Sequence, residues 1–309
     1  MEKLKVIIDT DPGVDDVACL TFALFDPNVE VKLLTTVAGN IAVEKCTRNL
    51  LHVLNKYGLD YPVAEGAKKA LYRDSINATF IHQKEGLGGY TPPKFVPRNI
   101  LKDDAAEMMY KVLSEGDGDI VPILLGPQTN MALLLKRHPD IIKKIPKIYF
   151  MGGAPYGVKG FPEHLSFNLT SDPEAFKIVI DSKIPLVMIP SNLGRNQAHY
   201  TEDFVYQIRD TNEVGKFLYQ MYTKYWEPGY NEKRISTNDT CTFLALTNPE
   251  LFITDTIDVE VDTEDQPGRT YVTFKKDGQC KIIMNCHRDL FLKEVTRRLK
   301  SLDNVKVKP

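Results

Sequence analysis

Short runs of β-branched and other apolar residues recur at Lys5–Asp9, Val29–Thr36, Ile120–Leu125, Ile148–Met151 and Leu186–Ile189. Between them lie longer stretches whose apolar positions return every three or four residues. A short run without alternation suits a strand buried on both faces, and the longer spacing suits a helix with one buried face. The alternation predicts an α/β fold: a single-domain, open, mostly parallel sheet flanked by helices. Open sheets of this kind bind ligands beyond the carboxyl ends of their strands. Polar or glycine-rich segments follow the strands directly at Thr10–Asp16, Ala38–Asn40, Gly126–Asn130 and Gly152–Asn168.

Towards the end of the chain, Ile257–Val261, Thr270–Phe274 and Lys281–Met284 have strand character, with Gly278 turning between the last two. A closing helix is predicted from about Asp289 to Leu302. The stretch 67–99 has little periodicity and holds Gly, Pro and mixed polar residues, as binding loops and lids do. It is expected to form an active-site loop together with 152–168, under a covering helical region near 213–232.

Composition narrows the class. Of 309 residues, 43% are hydrophobic and 26% charged, a globular balance, and 39 basic against 41 acidic residues leave a net charge of -2. That balance, without a basic run, makes nucleic acid an unexpected partner. Leu4 to Ile8 is too short for a membrane span and ends in acids, so neither secretion nor membrane insertion is expected. Cys19, Cys46, Cys241, Cys280 and Cys286 form no CxxC pair, and an odd count argues for buried thiols in a reducing cytosol.

The densest chemistry lies in Asp9-Thr10-Asp11-Pro12-Gly13-Val14-Asp15-Asp16, four carboxylates in the turn between a strand and a helix. Like charges this close resist joint ionisation unless a cation holds them. Calcium, which takes six to eight oxygen ligands in flexible geometry, is favoured over magnesium. A plainer reading has Asp15 and Asp16 complementing a helix N-terminus, which accounts for two acids and leaves two unexplained. An EF-hand is excluded because Val14 stands where the loop's glycine belongs and Leu20 where its glutamate belongs.

This octet resembles the fingerprint of the inosine-uridine preferring nucleoside hydrolase family. Further blocks resemble that family in order and separation: Thr35-Thr36-Val37-Ala38-Gly39-Asn40, Gly126-Pro127-Gln128-Thr129-Asn130, Met151-Gly152-Gly153, Phe167-Asn168 with Asp172-Pro173-Glu174-Ala175, and Asn238-Asp239. The resemblance implies the family's Rossmann-like fold and hydrolysis of the N-glycosidic bond of a ribonucleoside or related N-riboside. It further implies calcium, a cytoplasmic role in purine or pyrimidine salvage, and a homodimer or homotetramer. Carried over residue by residue, it implies that Asp11, Asp16, Asp239 and the backbone carbonyl of Leu125 hold calcium. Asp15, Asn40 and Asn168 would grip the ribose 2′- and 3′-hydroxyls. A water held by the ion would have a lowered pKa, and Asp11 beside it would take the proton as that water attacks the anomeric carbon.

The chain departs from the family's pattern in several places. Asn238 replaces a His thought to help protonate the leaving base, and asparagine cannot deliver a proton near neutral pH. His82, in Ile81-His82-Gln83-Lys84-Glu85-Gly86-Leu87-Gly88, is a candidate to approach the base, or a solvated loop side chain. Ser166 and Gly160 replace a Glu and an Asn that bind the 5′-hydroxyl, so an altered 5′ end of the substrate is expected. Glu163 and His164 are candidates to compensate, or exposed loop residues. Ser191-Asn192-Leu193-Gly194 replaces a segment that usually carries an Asp and a Thr. Tyr219, Tyr222, Tyr225, Trp226 and Tyr230 have helical spacing, which by default means core. Their position nevertheless makes Trp226 and Tyr230 candidates to stack on the base.

Two other functions compete. A haloacid-dehalogenase-type phosphohydrolase also ends a strand in Asp-x-Asp, but it expects Thr or Val where this chain has Gly13. A ribose or nucleoside sensor that has lost its leaving-group machinery is kept alive by Asn238.

Overall fold

In the computed structural model, which describes residues 2–97, 99–159, 161, 165–226, 229 and 231–309, the first apolar run becomes strand β1 (Leu4–Thr10). It is buried on both faces: Val6 and Ile8 enter one apolar core and Ile7 the other. Helix α1 (Val14–Phe25) returns the chain to β2 (Val29–Thr36), and α2 (Val43–Tyr57) leads to β3 (Val63–Glu65). Gly58 ends α2 in the left-handed conformation (φ 66°), where its N–H reaches the carbonyls of Leu54 and Asn55.

The short helix α3 (Thr79–His82) precedes α4 (Ala105–Glu115), β4 (Val121–Leu124), α5 (Thr129–Arg137), β5 (Ile148–Met151), α6 (Phe167–Ser171), α7 (Pro173–Asp181) and β6 (Leu186–Ile189). There follow β7 (Tyr200–Thr201), α8 (Glu202–Thr211), α9 (Glu213–Tyr222), β8 (Arg234–Ile235) and α10 (Asn238–Thr247). Strands β9 (Phe252–Val261), β10 (Thr270–Phe274) and β11 (Cys280–Cys286) and helix α11 (Arg288–Lys300) complete the chain.

Nine strands form one sheet in the order β10-β9-β11-β6-β5-β4-β1-β2-β3, and β7 pairs with β8 apart from it. From β3 to β11 every neighbouring pair is parallel, while β9 runs antiparallel to both β11 and β10. One core holds residues of α1, α2, α9, α10 and α11; the other holds those of α4, α5 and α7. The mostly parallel, helix-flanked sheet expected from the sequence is the one observed. Among the described residues no helix is long and apolar enough to cross a membrane, and all five cysteines are buried thiols.

Three details differ from the sequence expectation. β3 has only three residues between turns, too few to leave a pattern. β9 begins at Phe252 rather than Ile257, because its first half is mostly exposed and reads as polar. The stretch 67–99 is largely irregular, as expected, yet it contains α3.

The topology fixes where a ligand goes. From β1 the chain proceeds to β2 and β3 on one side, and later to β4, β5 and β6 on the other. The crevice at this reversal, beyond the carboxyl ends of β1 and β4, is where an open α/β sheet binds.

Candidate active site

The acidic octet emerges from β1 into that crevice. Asp9 is fully buried within the sheet; its Oδ1 accepts hydrogen bonds from the Thr35 hydroxyl (2.6 Å) and Asn130 Nδ2 (2.8 Å). Burial pushes its pKa up to about 6. Asn130 also donates to the Thr36 carbonyl (3.0 Å) and accepts from the Ala67 N–H (2.8 Å), so it ties β1, β2 and the loop beyond β3 together. This is a structural role for one of the family-like blocks.

Asp11 lies two residues on, with its Oδ2 accepting the Asn40 N–H at 2.7 Å. Backbone crowds this carboxylate from two sides. A Cβ on Gly39 would sit 2.1 Å from Asp11 Oδ2, and one on Gly126 2.8 Å from Oδ1, so only glycine permits the approach. The Asn40 side chain donates to the Asp11 carbonyl (3.1 Å) and to Asp16 Oδ2 (3.3 Å). Asp16 accepts the Thr10 hydroxyl at 2.5 Å and the Gly13 N–H at 2.9 Å. The latter bond caps the start of α1, so the plainer reading of Asp16 is part of the truth.

Asp239, in the first turn of α10, completes the cluster. One carboxylate oxygen from each of Asp15, Asp16 and Asp239 lies within 4.8 Å of the others, and all three residues are buried. Burial first, and then the negative neighbours, raise the pKa of Asp11 and Asp239 well above the usual carboxylate range; burial raises that of Asp16. Such a cluster stays ionised at neutral pH only with a cation to hold it. Three oxygens at this spacing, hard and charged, could hold a metal ion. Asp15 thus lies close to two of the carboxylates expected to hold the ion, Asp16 and Asp239, while Asp11 meets Asn40. The Leu125 carbonyl accepts from Asn168 Nδ2 at 2.5 Å.

A cavity of about 60 Å³ opens over the cluster. Asp11, Asp15, Asn40, Leu125, Asn168 and Asp239 line it together with His82, Arg195, Tyr225, Ser236 and Asn238, and Ala78, Ile81, Met151 and Phe167 complete the wall. His82 is no solvated loop side chain. It is buried, its Nδ1 accepts the Val14 N–H at 3.2 Å, and burial pushes its pKa down to about 3. It is therefore neutral, with its proton on Nε2. Asn238 accepts the Gly194 N–H at 2.9 Å and donates to the Ser236 hydroxyl at 2.9 Å.

The remaining candidates divide. Ser166 is buried at the start of α6 against Gly152, and its successors Phe167 and Asn168 line the cavity. Trp226 packs partly buried against the core beneath the Lys233 ammonium (5.2 Å). Its neighbour Tyr225 lines the cavity instead, ring centroid 5.2 Å from that of His82. Glu163, His164, Tyr230 and Gly160 lie outside the described residues. Sequence reasoning missed Arg195 and Ser236, which no pattern marked, and passed over Tyr225 although it stood in the aromatic run.

Comparison with known proteins agrees with this architecture. The family model described as inosine-uridine preferring nucleoside hydrolase matches residues 6–293. The non-specific ribonucleoside hydrolase RihC of Salmonella typhimurium is 36% identical over 265 residues, 85% of each chain. A plant nucleoside hydrolase, the PpNRh1 enzyme, superposes with a TM-score of 0.87 at 29% identity, over 96% of this chain and 99% of that one. The purine-preferring ribonucleoside hydrolase from Gardnerella vaginalis gives a TM-score of 0.88 at 27% identity, over 97% and 99% of the two chains. The chain thus belongs to the inosine-uridine preferring nucleoside hydrolase family, whose reaction is hydrolysis of the N-glycosidic bond of ribonucleosides.

Proposed function

We propose that this protein releases the base from a ribonucleoside or related N-riboside with calcium as its cofactor, and that Asp11 is the general base. The observation that carries this reading is the buried set of Asp11, Asp15, Asp16 and Asp239 beneath one cavity at the sheet's switch point. Asp11, Asp16, Asp239 and the Leu125 carbonyl would hold the ion, with Asp15 beside Asp16 and Asp239. When bound there, calcium supplies charge that keeps these carboxylates ionised and makes a nearby water more acidic.

The chain's own groups do the rest. Asp11 takes the proton of the attacking water; the Asn40 N–H on its Oδ2 holds it in place. Asp15, Asn40 and Asn168, which line the same cavity, bind the ribose hydroxyls. The carboxylates stabilise the positive charge that develops on the sugar as the C–N bond lengthens. The protein is read as a cytoplasmic salvage enzyme working as a homodimer or homotetramer, on the family's pattern alone.

One observation favours a second reading, a nucleoside sensor: Asn238 has both ends of its amide engaged by the protein and cannot supply a proton. The test is release of free base from purine and pyrimidine ribonucleosides, with 5′-deoxy and 5′-phosphorylated forms and nicotinamide riboside included. Turnover lost in Asp11→Ala supports the hydrolase. Binding of a nucleoside without turnover supports the sensor.

A further inference from the structure

If an N-riboside is hydrolysed here, the departing base must leave with the bonding electron pair, and something must stabilise it. Neither of the obvious groups does this well. His82 is held neutral, and Asn238 is tied to Gly194 and Ser236. Among the described residues that line the cavity, Arg195 is the one Lys or Arg. It comes from a single π-helical turn after β6, Leu193–Gln197, and such turns concentrate at functional sites.

Gly194 explains how the guanidinium gets there. A Cβ on Gly194 would lie 2.4 Å from the backbone nitrogen of Asn238, so only glycine lets this turn lie against the start of α10. The Gly194 N–H to Asn238 bond then fixes the register, and the next residue is Arg195. Its positive charge is felt at His82, whose protonation it disfavours. Arg195, His82, Tyr225 and Asn238 thus line the same cavity as Asp11 and Asn168.

We propose that Arg195 is the leaving-group residue, its guanidinium hydrogen-bonding the base and balancing the negative charge that forms on it as the glycosidic bond breaks. This assignment rests on the hydrolase reading above. The water oxygen bonds to the anomeric carbon, its proton passes to Asp11, and the C–N electron pair stays on the base. The base departs as an anion paired with Arg195 and takes a proton from solvent; Asp11 returns its proton to solvent. Arginine never transfers a proton in this scheme, which suits a group that stays charged at every working pH. The fork of N–H donors selects bases that carry ring carbonyls and leave as stabilised anions, the 6-oxopurines and the pyrimidine-2,4-diones. Adenosine and cytidine, whose bases call for protonation to leave, are disfavoured.

The test compares wild type, Arg195→Met and Arg195→Lys on uridine, inosine, adenosine and p-nitrophenyl β-D-ribofuranoside, all with calcium. Nitrophenolate leaves without assistance. The expected result for Arg195→Met is a loss of roughly 10²-fold in kcat/KM on uridine and inosine, the scale of one missing charge-stabilising donor, with less than about threefold on the nitrophenyl riboside. Arg195→Lys should recover part of the loss, and added guanidinium should partly rescue Arg195→Met. Equal losses on all four substrates, or none on any, would overturn the assignment and leave the hydrolase reading intact. Wild-type protein inert towards all four would sink that reading and this assignment with it.

Discussion

The two ends of helix α1 carry buried acids in opposite circumstances. At its C-terminus Asp26 accepts from Arg298 Nη1 at 2.5 Å, and the same guanidinium takes Glu294 at 2.8 Å through Nε and Asn248 Oδ1 at 2.8 Å through Nη2. Arg298 is 7% exposed and every part of it is matched from within the chain. At the N-terminus, about 18 Å away for 12 residues of helix, Asp15 and Asp16 meet Asp239 with no Lys or Arg among the three. One cluster carries its own countercharge and is complete on folding. The other gathers like charges that a bound cation would balance, which is what distinguishes a binding site from a structural ion pair.

The largest expected effect breaks the acid cluster's chemistry without touching its packing. Asp11→Ala should lower kcat by roughly 10³-fold, within the range for a positioned general base, and leave the melting temperature unchanged or higher because a buried charge is removed. A comparable drop in melting temperature and activity together would instead make Asp11 structural.

Next comes the balanced cluster. Arg298→Met leaves Asp26 uncompensated and Glu294 paired with Arg297 alone, and should cost about 3 kcal/mol of unfolding free energy, read from denaturant melts, with the calcium dependence of activity unaltered. A smaller effect of opposite sign is expected across α1. Asp239→Asn should stabilise the metal-free protein by about 1–2 kcal/mol, since it relieves like charges in a desolvated site, and should abolish stabilisation by calcium. In wild type, calcium at a hundred times its Kd should add about 2.7 kcal/mol. If both substitutions destabilise alike, the contrast between the clusters fails.

How much of this was legible in the sequence follows the same division. The strands around the switch point could be read because they are uninterrupted apolar runs. The acid cluster could be read because three of its carboxylates stand within one octet. Asp239, though distant, was reachable through its resemblance to a family block. The rest of the cavity wall was mostly hidden, since it gathers α3, the turn after β6, Tyr225 and the start of α10 from separate stretches. Arg195 carries no local sign of its role, because Gly194 and Asn238 meet only in the fold. Trp226 and Tyr225 are adjacent, and helical spacing alone could not say which faces the cavity.

The smallest effect sharpens the view of that wall. His82 is held neutral with its pKa near 3, below the ordinary value of 6.5. A His with a depressed folded-state pKa contributes stability above pH 6.5 that is lost as pH falls towards 3. At pH 5.5, one unit below 6.5, the loss amounts to about 1.4 kcal/mol, and His82→Gln should flatten this part of the pH–stability profile. An unchanged profile would mean that His82 protonates freely and is not the buried neutral group described.

The central claim is that the acid cluster takes its missing charge from a divalent ion and becomes catalytic by doing so. The most direct measurement is base release from inosine and uridine by metal-stripped protein as calcium is titrated back, with calorimetric binding followed on the same sample. The account predicts no turnover without the ion, and activity that rises in step with one calcium bound per chain. Asp239→Asn should show neither. Full turnover by protein shown to be free of divalent ions would contradict it.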